Sequence, residues 1–597
     1  MICRVFKVRE IDKSPGAKYN SHKGTPACPW QRRQGGNIMK FTKMLCLVLA
    51  LLLLCGCAAP SAEVPQTTEA AFPGTEPVPT ETAAPSPERT EEALGQIAAL
   101  GQSPDDNNRV WYEVFVYAYC DSDGDGIGDL NGLRQKLPYL RELGVTGLWL
   151  MPIHPSTTYH KYNVSDYYAI DPDYGTMEDF DALMADCQAM GIRVILDLVL
   201  NHTGSEHPAF REAAQYLCTL EPGAEPDPEV CPYVGWYNFT TEANRTGYCQ
   251  VQGCDWWYEA GFSYDMPDLN LENPEVLSEI RKIMAFWLDK GVAGFRLDAA
   301  KEYFSGRAAK NVETLSWLMQ TARELKEDVY LVAEVWESST VIAQYYASGI
   351  TSIFNFPFGD SGGKITKTIR GYGMENIVSA YAVSLEKADT AYRETNPDYI
   401  DAPFLSNHDV GRIAGFACRD PARMKLAAAM NLFMGGAAFV YYGEEIGMPG
   451  SGNDPSKRAP MYWNANRDDG TTKPCPECVL PDSYPLGSLE EQRNDDNSLY
   501  NYYRQAIAIR NALPVISHGA VTAETALNVG CVSAQRKTWG EETCLILMNI
   551  DEAEATVDLT GYESYRLAAQ LVTGDVPVTL EGSTLTLPPC AVVILLP

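Results

Sequence analysis

Apolar residues along this chain come in short blocks, many rich in β-branched and aromatic types, that alternate with longer stretches of helical periodicity. Eight blocks read as strands: Trp111–Tyr119, Val145–Ile153, Arg193–His202, Val292–Ala299, Val329–Trp336, Ser352–Phe358, Ala402–Asp409 and Ala437–Tyr442. Between them lie amphipathic helical patterns such as Asp179–Met190 and Pro274–Lys290. A strand–helix unit repeated eight times predicts an α/β fold, a parallel sheet closed into a TIM (β/α)8 barrel over 101–512. A long polar stretch, about 203–264, interrupts the rhythm after the third strand and reads as an insertion. From 513 the pattern changes to short β-like runs ending at Leu585–Leu596, which predicts a C-terminal antiparallel β-sandwich over 513–597.

Charges inside apolar strands are costly, so where they stand they point to chemistry. The block from Val292 to Ala300 carries Arg296 and Asp298 two positions apart, hence on one face. A guanidinium beside a carboxylate keeps it ionised, and an ionised carboxylate at a strand end is what a nucleophile needs. Alone, such a pair is more often a structural ion pair. Two further acids end strand-like runs, Glu334 in Val329–Trp336 and Asp409 in Phe404–Asp409. Three acids at strand C-termini lie where TIM barrels carry their active groups.

In chain order, Asp197-Leu-Val-Leu-Asn-His202, Gly294-Phe-Arg-Leu-Asp298, Glu334-Val-Trp336 and Phe404-Leu-Ser-Asn-His-Asp409 resemble the signature segments of the α-amylase family of glycoside hydrolases. Met266-Pro-Asp-Leu-Asn270 resembles the group between oligo-1,6-glucosidases and neopullulanases. The resemblance implies that 203–264 is the family's inserted B domain. It also implies Asp298 as nucleophile, Glu334 as general acid/base and Asp409 as transition-state stabiliser. His202 and His408 would hydrogen-bond the sugar at the cleavage point, and Tyr162, in Tyr159-His-Lys-Tyr-Asn163, would stack on it. Arg296 and Lys301 complete the substrate-binding set, with Asp197 behind Arg296 as a support. Lys161 and Asn163 depart from the family's glycine and acid, and Glu302 from its histidine. Tyr442-Gly-Glu-Glu445 and Arg458-Ala-Pro-Met461 also match family segments and are assigned structural roles. Glu334, flanked by Val335 and Trp336, is expected to stay protonated near neutrality.

The implied activity is retaining hydrolysis of α-1,4 links in starch or maltooligosaccharides by an endo-acting α-amylase, with carboxyl groups ~5 Å apart. Exo-acting α-glucosidase and neopullulanase or transglycosylase activity are same-class alternatives. A non-catalytic surface glycan binder or transporter-associated protein is the alternative of another class, and such a chain would have no use for all three acids.

The run Asp121-Ser-Asp-Gly-Asp-Gly-Ile-Gly-Asp129 sets acids at alternate positions with glycines between them. That arrangement wraps oxygens around a hard cation. It predicts a structural Ca²⁺ site of Asp121, Asp123, Asp125, the Ile127 carbonyl and Asp129, as in related amylase-family loops. The formal charge of −31 disfavours nucleic acid and anionic membrane surfaces and suits a neutral substrate. Residues 39–57 have the basic start, apolar run and small-residue end of a signal peptide, and Leu54-Cys-Gly-Cys57 resembles a bacterial lipobox. Cys57 is therefore the expected lipidation site, a membrane anchor on the extracellular face of the cell. Residues 1–38 read as a mis-called extension and 58–100 as a Pro/Thr-rich tether. Cys218, Cys231, Cys249 and Cys254 are expected to form one or two disulfides. Cys475 and Cys478 read as a local disulfide or two thiols, and Cys120, Cys187 and Cys418 as core.

Overall fold

The structure, a computed structural model, describes residues 105–371 and 374–597. The expectations placed on 1–38, on the signal 39–57 with Cys57, and on the tether 58–100 lie outside the described residues. Eight parallel strands form one sheet: β1 (Val110–Val114), β2 (Gly147–Leu150), β3 (Arg193–Leu198), β4 (Gly294–Leu297), β5 (Tyr330–Ala333), β6 (Ser352–Phe354), β7 (Ile400–Ala402) and β8 (Ala438–Tyr441). Their order is β7-β6-β5-β4-β3-β2-β1-β8. Backbone hydrogen bonds from Ala437 N–H to the Asp401 carbonyl (2.7 Å) and from Phe439 N–H to the Pro403 carbonyl (2.8 Å) carry the ring across from β7 to β8. The predicted barrel is thus present.

Every strand is shorter than its apolar run, and the seventh is displaced. β7 stops at Ala402 because Pro403 has no N–H to continue the ladder. The remainder, 403–409, turns above the barrel mouth, where Phe404 stays buried against Phe354 and Phe356.

Alternation along the strands separates two cores. Trp111, Trp149, Ile195, Tyr330, Val332, Phe354 and Phe439 fill the barrel interior. Tyr112, Leu148, Leu196, Phe295 and Leu331 face outward and pack under the helices. One of these helices, Met177–Ala189, starts at a Thr176–Asp179 capping box that satisfies two otherwise orphaned amides. Two residues beyond the aromatic floor, the inward positions turn polar: Glu113 on β1, Asp197 on β3 and Arg296 on β4, all buried. The barrel therefore changes chemistry toward its C-terminal mouth.

The insertion after β3 contains a helix, Pro208–Leu217, and a three-stranded sheet in the order Phe239–Thr240, Trp257–Glu259, Tyr248–Gln250. One disulfide, Cys218–Cys254, staples it. Bridges from His202 to Asp268 and from Tyr237 to Leu269 fasten it to the barrel rim. At the C-terminus a five-stranded and a three-stranded antiparallel sheet enclose Leu545, Leu547, Val557, Leu585, Leu587 and Val593. This domain joins the barrel through Val521 N–H to Asp389 (3.1 Å) and through the buried Lys537 ammonium, which reaches the Met434 carbonyl. Cys120 and Cys187 are buried as expected. Cys418 is not: it lies exposed in a left-handed turn (φ 57°) that ends the short helix Ile413–Phe416.

Candidate active site

Arg296 is the centre of the barrel mouth. It is fully buried, and its guanidinium meets three carboxylates from three strands. Nη1 donates to Asp197 (2.9 Å) and Asp298 (2.5 Å), and Nη2 donates to Glu334 (2.7 Å). The support expected from Asp197 is present, whereas the contact with Glu334, which arrives from the end of β5, was not anticipated from the sequence. The turn after Asp298 brings Glu334 closer still. Ala299 sits at φ 46°, a strained value for a residue with a Cβ, and its N–H donates to Glu334 Oε2 (3.0 Å). The Asp298 and Glu334 carboxylates thus lie side by side on one guanidinium.

Burial raises the Glu334 pKa above the ordinary value, Arg296 opposes this, and Asp298 and Asp409 add to the rise. The rise is in the direction the sequence predicts, but the surroundings are not simply apolar. Trp336 turns out of the core, 44% exposed and stacked on Phe356 at 4.7 Å. Asp197 is pushed up to about 7 by burial, against the pull of Arg296.

The second half of the site is built on His408. Its Nδ1 lies 2.6 Å from Glu113, and its Nε2 lies 3.1 Å from Asp409 and 2.7 Å from the Tyr162 hydroxyl. Burial alone would lower its pKa, but Asp409 and Glu113 raise it to about 10. Burial works against ionisation of Asp409, yet His408, with Arg458 and Arg296, holds its carboxyl well below the usual range. Tyr162 lies parallel to His408, ring centroids 5.5 Å apart, and donates to Asp197 (2.9 Å).

Lys161, where the family has glycine, does take a left-handed backbone (φ 64°). Its buried ammonium, clamped by Asp171 (2.9 Å) and Asp173 (3.0 Å), offsets the strain. His202 is buried, and among the described residues neither ring nitrogen makes a hydrogen bond. Lys301 lies at the rim, paired with Glu337 (3.1 Å).

All nine predicted residues therefore converge, and most of them line a cleft of about 830 Å³ with Tyr159, Phe262, Trp336, Arg458 and Glu477. A cleft of similar size, about 870 Å³, lies beside Arg193 and Ala293 at the opposite strand ends and gathers none of these residues.

Two residues escaped the sequence reading. Glu113 anchors His408, and its signal was present: an acid inside an apolar strand, on the same face as Trp111. Arg458, structural by its sequence segment, bonds Asp409 (2.9 Å) and lines the cleft.

In the acidic loop, Asp121, Asp123 and Asp129 bring carboxylate oxygens within 4.8 Å of one another. Such hard oxygen donors fit Ca²⁺. Asp125 stands outside this cluster and accepts the Ile127 N–H (2.6 Å). Asp129 also caps the helix Leu130–Leu143 through Gly132 N–H (2.8 Å), so any ion held there would tie the loop to that helix.

A β/α barrel with a cluster of carboxylates at its C-terminal mouth defines the class of barrel enzymes whose chemistry sits at the strand C-terminal ends. Within it, residues 113–519 match the family model described as the α-amylase catalytic domain. The chain belongs to the α-amylase family and is a glycoside hydrolase. It is 38% identical over 456 residues to alpha-amylase 3 of Dictyoglomus thermophilum, covering 75% of this chain and 86% of that protein. It is 31% identical to a trehalose synthase of Thermus thermophilus, over 79% of this chain and 52% of that protein. Among solved structures, Eubacterium rectale Amy13B superposes with a TM-score of 0.79 at 40% identity, over 84% of this chain and 98% of that one.

Proposed function

We propose that the protein is a retaining, endo-acting α-amylase that cleaves α-1,4 links of starch or maltooligosaccharides. The observation that carries this reading is the shared guanidinium: Arg296 holds Asp298 and Glu334 on its two terminal nitrogens, and double displacement needs two such neighbouring carboxyl groups. Glu334, protonated, gives its proton to the leaving glycosidic oxygen while Asp298 attacks the anomeric carbon. The C–O bond breaks and a glycosyl ester forms on Asp298. Glu334, now a carboxylate, takes a proton from water, which cleaves the ester. Asp409, ionised and gripped by His408 and Arg458, offsets positive charge developing on the ring. Tyr162, His202, His408 and Arg296 orient the sugar, and Lys301 stands on the leaving-group side.

Asp121, Asp123 and Asp129, joined by Asp125 and the Ile127 carbonyl, hold a structural Ca²⁺ in this reading. The 38% identity to an α-amylase favours hydrolysis of starch-like chains. The trehalose synthase likeness keeps transglycosylation as the second reading. Met266–Asn270 favours the group intermediate between oligo-1,6-glucosidases and neopullulanases.

Product analysis from soluble starch, pullulan and maltose tests the reading. Early release of mixed maltooligosaccharides from starch supports it, whereas glucose or trehalose as the sole first product overturns it. The lipobox at Cys57 supports a lipid anchor on the extracellular face. Cell fractionation of wild type and Cys57→Ser tests that placement, and equal membrane association of the two would refute it.

A further inference from the structure

At the edge of the cleft, Cys475-Pro-Glu-Cys478 forms a tight turn closed by Cys478 N–H to the Cys475 carbonyl (3.1 Å). Proline at the second position fixes a negative φ, and Glu477 at the third has φ 62°, which makes this a type II turn. That third position belongs to glycine, because any Cβ there is strained. Glutamate stands there instead, and its side chain lines the catalytic cleft together with Asp298, Glu334 and Asp409. We propose that Glu477 is a specificity-determining residue. In this account its carboxylate accepts hydrogen bonds from the hydroxyls of a glucose unit beyond the one held at Tyr162. The proposal rests on the α-glucan hydrolase reading above.

The turn is fastened to the segment that supports Asp409. Asn453 Nδ2 donates to the Glu477 carbonyl (2.9 Å), and Val479 N–H donates to Ser456 Oγ (3.0 Å). Two residues on, Arg458 bonds Asp409 (2.9 Å), and Lys457 reaches the Asp409 carbonyl. Glu477 is thus presented on a frame shared with a catalytic acid. Its side chain is exposed, and among the described residues no Lys, Arg or His pairs with it. A strained residue is retained where its side chain is needed. An unpaired carboxylate in a strongly acidic chain accepts from neutral hydroxyls and repels anions. The ligand class is therefore an uncharged oligosaccharide.

The test compares wild type, Glu477→Gly and Glu477→Gln. It reads kcat/KM on maltotriose through maltoheptaose, the cleavage map of end-labelled maltoheptaose, and Tm. Glycine suits this backbone, so Glu477→Gly should melt at or above the wild-type temperature. A position that only fills the turn would then keep or gain activity. We expect the reverse: both variants lose about tenfold in kcat/KM on maltoheptaose, about 1.4 kcal/mol, chiefly through KM, with shifted cleavage positions and a smaller loss on maltotriose. Wild-type kcat/KM and an unchanged cleavage map in both variants would overturn the proposal. Wild type inactive on every maltooligosaccharide would instead overturn the hydrolase reading beneath it, before any variant is compared.

Discussion

Around Arg296, three carboxylates share one buried guanidinium, and His408 and Arg458 grip a fourth, Asp409. Around 121–129, three carboxylates converge near the surface with mostly backbone amides as their donors. Asp121 accepts from Gly124 N–H (2.7 Å) and Gly126 N–H (2.8 Å), and Asp129 accepts from Ser122 N–H (2.7 Å). Depth accounts for the difference. A buried charge without a partner costs several kcal/mol, so the barrel cluster carries its own cations and is assembled before substrate arrives. The loop, half in water, can leave its compensation to an ion from solution. One cluster is preorganised for chemistry, and the other is completed by binding.

The sharpest break of this comparison removes one acid from the barrel cluster. Asp298→Asn should lower turnover on starch by about 10⁴-fold or more, because members of a concerted set are not additive. Glucan binding and the melting curve should stay near wild type. A tenth of the activity surviving would refute the nucleophile assignment.

Removing a cation instead tests preorganisation. His408 titrates near 10 in the folded protein, above its ordinary 6.5. Its pairing with Glu113 and Asp409 therefore stabilises fully below pH 6.5 and fades as pH rises to about 10. His408→Gln should cost about 3–5 kcal/mol at pH 6, and the gap to wild type should narrow toward pH 10. Denaturant melts at pH 6, 8 and 10 measure this, and a gap independent of pH would remove His408 as the cation.

The smallest effect belongs to the loop. Calcium at 100 times its Kd should add about 2.7 kcal/mol of stability, lost in excess chelator, with little change in activity well below Tm. Coincident melts with and without chelator would leave the loop without its ion.

The sequence made the barrel legible because each strand is a separate apolar run, and β4 is marked by charges two residues apart. Strand ends were not legible. Residues 403–409 continue the apolar run only through Phe404 and Leu405 and pack as a turn, and Pro403 with the polar Ser406–Asp409 marks the boundary. Asp298, Glu334 and Asp409 could be found one strand at a time. The role of Arg296 as a common partner was legible only in part: Asp197, 99 residues away, came through the family resemblance, and Glu334, 38 residues away, did not. Glu113 and His408 are 295 residues apart, so only the closed ring brings them together.

The central claim is that one guanidinium places Asp298 and Glu334 close enough for double displacement. Proton NMR of the first products from maltopentaose reads it directly. The account predicts that the new reducing end appears first as the α-anomer and then mutarotates. A β-anomer appearing first would mean single displacement through a positioned water, and would contradict the geometry at Arg296.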